Sequence, residues 1–364
     1  MVMALLLVVC ILSFIPVKLP KYKYFVVALE ILTIIVIFAG NNSTGDQLNY
    51  SYAYTSGNSV YFEIGYATLC RIFNALGFEY FQFKLILILV LCALVIYSYR
   101  CFDIALFPIP ILIWTLTSFF YEAEQSRFFM AMLIVICGLP LLLKTKIEWK
   151  NVLIYCAVVL LACLFHTSAI VYLLFALIPF MKKFDKIRLV VLFLIFLTFA
   201  IMLISILNGN DWSLVGNLLY AITKNDRIKL WFNFKTRLGY LECVYYQCLI
   251  FLLVNTAYKV IRKKNASKIE VQFCALMRDV LLLLFLVMPF YMISTDFIRI
   301  IRGMLLPSYV AVWIGIKRSW KVPQVLLSVG LIVFALSFNL LRYKTLFPFQ
   351  NEYFSIMIQQ NMWA

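Results

Sequence analysis

Ionisable side chains are scarce in this sequence, and acids are scarcer than bases. Lys, Arg, Asp and Glu make up 13% of the 364 residues, with 16 acidic side chains against 32 basic ones and a single histidine. So little charge, beside 65% apolar residues and a mean hydropathy of +0.98, excludes a soluble globular domain. One histidine leaves no His-rich ligand set for zinc. The ten cysteines lack CxxC spacing and read as packing residues in apolar runs. The net charge of +16 comes without a basic helix or aromatic-basic platform in a soluble domain, which argues against nucleic acid as a partner.

What the chain has in abundance is long apolar runs. A helical crossing needs roughly 17–25 apolar residues, and twelve spans are predicted, at about 2–17, 24–40, 84–100, 104–121, 128–143, 151–165, 167–180, 188–207, 242–259, 271–293, 303–316 and 323–341. The expected fold is therefore all-α and polytopic, one transmembrane domain over residues 1–364, with outer-face loops at about 41–83 and 208–241. The bilayer is its first partner. Six basic clusters, at 18–23, 100, 144–150, 182–188, 259–268 and 317–321, hold 19 of the 32 basic residues and fall on one side if the spans alternate from an outside N-terminus. The positive-inside rule makes that side cytoplasmic. The run from 151 to 180 is long for one crossing and short for two, and parity between its flanking basic loops requires two, with His166 and Thr167 at the turn. The first span lacks a basic n-region and a small-residue cleavage site, so it reads as a retained span.

This topology leaves Arg127, His166, Arg299 and Arg302 at the opposite, non-cytoplasmic ends of spans, where a cation is costly without an anionic partner. Arg299 and Arg302, three apart on a helix, share a face and suit the two charged groups of a pyrophosphate. Arg127 in YEAEQSRFF has Glu124 at i,i+3 as a local alternative partner. The loop carrying Lys224, Arg227, Lys229, Lys235 and Arg237 among aromatic residues is either an anion site or an interfacial segment. In the first outer loop, Asp46, Tyr50, Tyr54 and Glu63 lie in a Tyr-, Asn- and Ser-rich stretch that suits sugar hydroxyls and CH faces, or forms an interfacial aromatic belt. His166 is the one side chain here that ordinarily titrates near neutrality.

The chain resembles the Wzy-type polysaccharide polymerases, and most closely their EpsG-like branch. The resemblance rests on GDQLNYSYAY with FEIGY, QSRFFMAMLIVICGL, LFHTSAIVYLL and DFIRIIRGMLLPSYV, in that order over about residues 40–315. It implies an enzyme of the bacterial inner membrane, its site facing the periplasm. Such an enzyme joins oligosaccharide repeat units carried on undecaprenyl pyrophosphate into O-antigen or capsule, with a chain-length regulator as a candidate partner. Position by position it points to Arg127, His166, Arg299 and Arg302, and more loosely to Asp46 and Glu63. No DxD pair is present, so Arg127, Arg299 and Arg302, helped by Arg227 or Arg237, are expected to take a metal's place on the pyrophosphate, without any cofactor. His166 is the first candidate base, Asp46 or Glu63 the second, and donation from His166 to phosphate is the alternative. Tyr50 and Tyr54 are candidates for sugar contact. A flippase for the same lipid-linked units, an O-antigen ligase, and a lipid-phosphate-dependent glycosyltransferase using Asp46 remain open.

Overall fold

The computed structural model describes residues 2–57, 62–143, 147–209, 238–264 and 266–363, together with Trp212, Asn217, Tyr220, Ala221 and Lys224. Among the described residues the regular structure is helical, without strands. That is what the bilayer demands of apolar runs, because a helix satisfies its own backbone hydrogen bonds where no water can. Helices occupy each of the twelve predicted runs, but many are short or broken. Among the described residues five stretches are long and apolar enough to cross a membrane: Pro20–Gly40, Tyr80–Cys101, Asp185–Leu207, Gly239–Arg262 and Lys321–Gln359. A sixth is formed if Thr295–Arg302 and Leu305–Arg318, bent by 52°, act as one. Val2–Lys18, Pro108–Thr117, Ser126–Leu142 and Trp149–Cys163 are shorter apolar helices.

The 151–180 region is a hairpin. Trp149 packs on Phe180 with ring centroids 5.2 Å apart, and the Tyr155 hydroxyl donates to the Tyr172 carbonyl at 2.8 Å, so the chain reverses around His166. Its second arm opens as a 3-10 helix, Thr167–Leu177, and continues as Ile178–Lys183. A 3-10 helix rises roughly 2.0 Å per residue against 1.5 Å in an α-helix, so this arm reaches about 30 Å with few residues. Stretching the helix is how a run too short for two ordinary spans makes two arms. A second reversal lies at 121–126, where Trp114 meets Phe129 at 5.8 Å across the turn.

The bundle has two distinct ends. At one, Arg318 pairs with Glu270 at 3.2 Å, Lys264 lies over Trp320, Lys23 and Lys317 lie over Phe107, and Lys182 donates to the Leu142 carbonyl. This is the end of the basic clusters. At the other, the His166 tip meets the segment after Pro20–Gly40 through Glu63, and the 121–126 tip meets Gln47 of the same segment, Arg302 and Tyr353. That segment is not an open loop but two helices, Gly45–Thr55 and Ile64–Ala75, packed on an aromatic cluster of Tyr50, Tyr54, Phe62, Tyr66, Phe73 and Phe83. The second expected outer loop, 208–241, lies mostly outside the described residues. Lys344 adopts a left-handed conformation (φ 58°), the chain turns there, and Glu352–Gln359 packs back across this end. Asp185–Leu207, with Leu189, Val190, Phe193 and Phe196 exposed, is the least buried of the five long apolar helices among the described residues.

Candidate functional site

The ionised groups at the tip end sort into an accessible rim and a buried layer beneath it. On the rim, Arg127 opens the Ser126–Gly138 helix and pairs with Glu63, 64 residues away, while its guanidinium lies over the rings of Phe62 (4.7 Å) and Tyr50 (5.3 Å). Glu63 is placed by a close approach of two elements. The Gly65 N–H donates to the Leu164 carbonyl at 2.8 Å, and a Cβ at Gly65 would stand 2.7 Å from that oxygen. Glycine is required there because any side chain would lift the Ile64–Ala75 helix off the hairpin tip. With the helix seated, the second Glu63 oxygen accepts from the Thr167 N–H (3.2 Å) and hydroxyl (3.3 Å). Burial raises the Glu63 carboxyl, but Arg127, the nearby backbone donors and His166 outweigh it and hold the group below the usual range.

His166 sits at the neighbouring tip, edge-on to Phe128 at 5.4 Å. Its Nδ1 accepts the Ser168 N–H at 3.3 Å and lies 2.7 Å from the Ser168 hydroxyl. A nitrogen that accepts a backbone N–H carries no proton, so the neutral ring holds its proton on Nε2 and offers a donor there. Burial, then the Arg299 guanidinium and that of Arg127, push the ring down to about 4, against the opposing pull of Glu63. Neutral imidazole is the form at physiological pH.

Arg299 is the rim's second cation. Its Nε donates to the Asp296 carbonyl at 2.9 Å, its Nη2 lies 3.7 Å from the exposed Asp296 carboxylate, and 23% of the side chain is exposed. Its field reaches Asp46 as well as His166. Asp46, in the first turn of Gly45–Thr55, is raised by burial despite the attraction of Arg127 and Arg299. The rim thus gathers Asp46, Glu63, Arg127, His166 and Arg299 from separate segments.

Several expectations change. Arg302 does not share a face with Arg299 toward one anion. It is 2% exposed, with Nε on Glu122 at 3.1 Å, Nη2 on Gln125 at 2.7 Å and its guanidinium over Tyr121 at 4.6 Å. Arg302 is drawn under the 121–126 turn by Glu122 and Gln125, while Arg299 stays on Asp296 at the rim. Arg127 pairs with Glu63 and not with Glu124, whose carboxylate accepts from the Tyr353 hydroxyl. Tyr50 and Tyr54, expected at the surface, are buried at 4% and 2% exposure. The Tyr54 hydroxyl donates to the Phe78 carbonyl at 2.7 Å and its ring stacks on Phe83, while Tyr50 is wedged among Phe62, Tyr66 and Arg127. Arg227 and Arg237 lie outside the described residues.

Other residues contribute that local sequence patterns do not single out. Gln47 clamps the two regions, donating to the Ala123 and Glu124 carbonyls and to Ser126, and accepting from Tyr80. Lys84, fully buried, donates to the Asn41 carbonyl and to Asn42 at 3.3 Å. A signal existed for Lys84, since it is one more lone cation at the non-basic end of a span. Arg342, beside Glu242 at 3.7 Å and over Tyr121 at 5.6 Å, is a similar case. Among the described residues no group of three or more His, Cys, Asp and Glu side chains is arranged to hold a metal.

No curated protein and no solved structure matches the chain. The model of the EpsG family matches residues 22–351, a stretch that takes in both hairpin tips, the first outer helices and the Asp296–Arg302 segment, and the chain belongs to the EpsG family.

Proposed function

We propose that this membrane protein is a polysaccharide repeat-unit polymerase. In this reading it transfers a growing oligosaccharide from undecaprenyl pyrophosphate to the terminal hydroxyl of an incoming lipid-linked unit, at the outer face of a bacterial inner membrane. Family membership supports the general role of a polymerase-like glycosyltransferase. The observation that carries the finer reading is the convergence of Asp46, His166 and Arg299, with the Arg127–Glu63 pair, on one rim opposite the basic clusters.

In the transfer, the acceptor oxygen attacks the anomeric carbon, the bond from that carbon to the pyrophosphate oxygen breaks with its electron pair, and the acceptor proton passes to a base. Asp46 is assigned as that base. Its raised carboxyl is better matched to proton transfer than Glu63, both of whose oxygens are occupied, and a placed base is worth about 10²- to 10⁴-fold. His166 is assigned as a donor to the leaving pyrophosphate through Nε2, because its Nδ1 already accepts from Ser168. Arg299 and the exposed edge of Arg127 supply the charge. Such preorganised groups, aimed at developing charge, contribute about 3–4 kcal/mol each in comparable sites. Arg302, with Glu122 and Gln125, is a positioning residue that holds the turn beneath Arg299.

A strain lacking the protein, complemented with Asp46→Asn or with wild type, tests the reading. The expected result is single repeat units with Asp46→Asn and a ladder of chain lengths with wild type. A normal ladder from Asp46→Asn removes Asp46 from the chemistry. Complete loss of attached units in the null strain points to a ligase or flippase.

A further inference from the structure

At the basic end, away from the rim, a half-open cavity of about 300 Å³ is lined by Lys182, Arg188, Arg278, Asp279, Asp185 and Tyr258, among others. Its inner wall is built around a cation placed deep in a helix. Arg278 stands ten residues into Lys268–Leu284, about 15 Å from its start at an α-helical rise. A guanidinium at that depth is costly unless it is paired or serves an anion. Asp279 accepts from Arg278 Nε (2.9 Å) and Nη2 (2.6 Å) through a single oxygen, and the guanidinium packs on the Tyr258 ring at 4.4 Å. The pair is mostly buried, with 15% of the Arg278 side chain and 4% of the Asp279 side chain exposed. Lys182 enters from the neighbouring hairpin arm, anchored on the Leu142 carbonyl at 3.1 Å, and Arg188 stands at the mouth near Asp185. Three cations face two acids, and one of those acids is already committed to Arg278.

The mouth adjoins Asp185–Leu207, the least buried of the five long apolar helices among the described residues. Beyond Arg188, Asp185–Leu207 presents Leu189, Val190, Phe193 and Phe196 outward. A ligand with a phosphate in the cavity can lay an acyl chain along that stripe. We propose that this cavity is a binding site for the phosphate headgroup of an anionic membrane phospholipid, separate from the rim at the other end. Basic pockets between spans at the cytoplasmic surface recognise headgroups by this combination of cations and adjoining apolar surface.

The test uses the full chain purified in neutral detergent, with thermal unfolding followed as phosphatidylglycerol, phosphatidylcholine or inorganic phosphate is titrated in. Phosphatidylglycerol should raise the midpoint and phosphatidylcholine should not. Lys182→Gln with Arg188→Gln should weaken the apparent phosphatidylglycerol affinity by roughly tenfold or more, since each cation near a headgroup contributes about fivefold. Neither side chain hydrogen-bonds to the Arg278–Asp279 pair, and a wild-type unfolding midpoint in the absence of lipid checks that the variant is folded. Lys263→Gln with Lys264→Gln removes the same charge elsewhere on the basic end and should leave the affinity unchanged. Equal weakening in the two double variants, or no response to phosphatidylglycerol, overturns the site. An equal response to inorganic phosphate alone overturns the lipid and makes free phosphate the ligand.

Discussion

Two of the conspicuous arginines do different work three residues apart, and burial is what separates them. Arg302 and Glu122 form an ion pair almost without solvent, so removing one partner strands a buried charge. Arg302→Met is expected to destabilise the protein by about 3–5 kcal/mol, and adding Glu122→Gln should restore much of that loss. Thermal unfolding of the single and double variants checks this, and an unrecovered double variant contradicts a purely structural pair. His166 gives a pH dependence whose sign follows from its environment. Its folded state titrates at about 4 instead of the ordinary 6.5, so the unfolded chain takes up the proton first as pH falls. Stability from this group is complete above 6.5 and lost progressively toward 4. His166→Gln should unfold with a shallower decline across that window, and parallel curves would contradict the assignment. At this scale the sequence disclosed which residues are anomalous but not their partners. Arg127 could as well have met Glu124, three residues before it. Its true partner, Glu63, is set by a helix docking that no local spacing encodes.

Elements explain how such distant residues meet. The predicted positions of the apolar runs match the helices closely, because length and hydropathy dictate them directly. Parity between basic loops was enough to predict the 151–180 hairpin and its tip at His166. Its means of reaching across, an 11-residue 3-10 helix, has no sequence signature in Thr167–Leu177. Nor does sequence reveal that the Tyr-rich outer segment would fold into two helices and bury the rings proposed to face sugar. Aromatic rings serve a core and a sugar platform equally well, and only packing decides. The docking of Ile64–Ala75 on the hairpin tip is a testable joint. Gly65→Val places side-chain atoms against the Leu164 carbonyl and should displace Glu63 from Arg127 and Thr167. Polymer formation should fall at least about tenfold, the cost of a misplaced positioning group, while the amount of protein in the membrane stays near wild type. Undiminished polymer would mean that the joint does not position the site.

For the molecule as a whole, the separation of charge is the organising fact. Basic clusters define one end, and at the other Arg127, Arg299, Arg302 and Arg342 each meet an acid while Lys84 meets a carbonyl. The C-terminal Glu352–Gln359 helix closes over the second end, with Tyr353 reaching Glu124 and the Gly45 N–H, and Asn361 and Met362 reaching the end of Pro20–Gly40. The rim is thereby held from several directions, as preorganised charge stabilisation requires. The proposed role of the rim arginines is to carry the leaving pyrophosphate. It is tested most directly with the purified protein in liposomes, supplied with undecaprenyl-pyrophosphate-linked repeat units in excess chelator and read as a ladder on a gel. The account predicts a ladder from wild type in the presence of chelator, a loss of about 10²- to 10³-fold with Arg299→Ala, and an intermediate yield with Arg299→Lys, which keeps the charge but not the fork. A full ladder from Arg299→Ala, or a wild-type ladder abolished by the chelator, would contradict it.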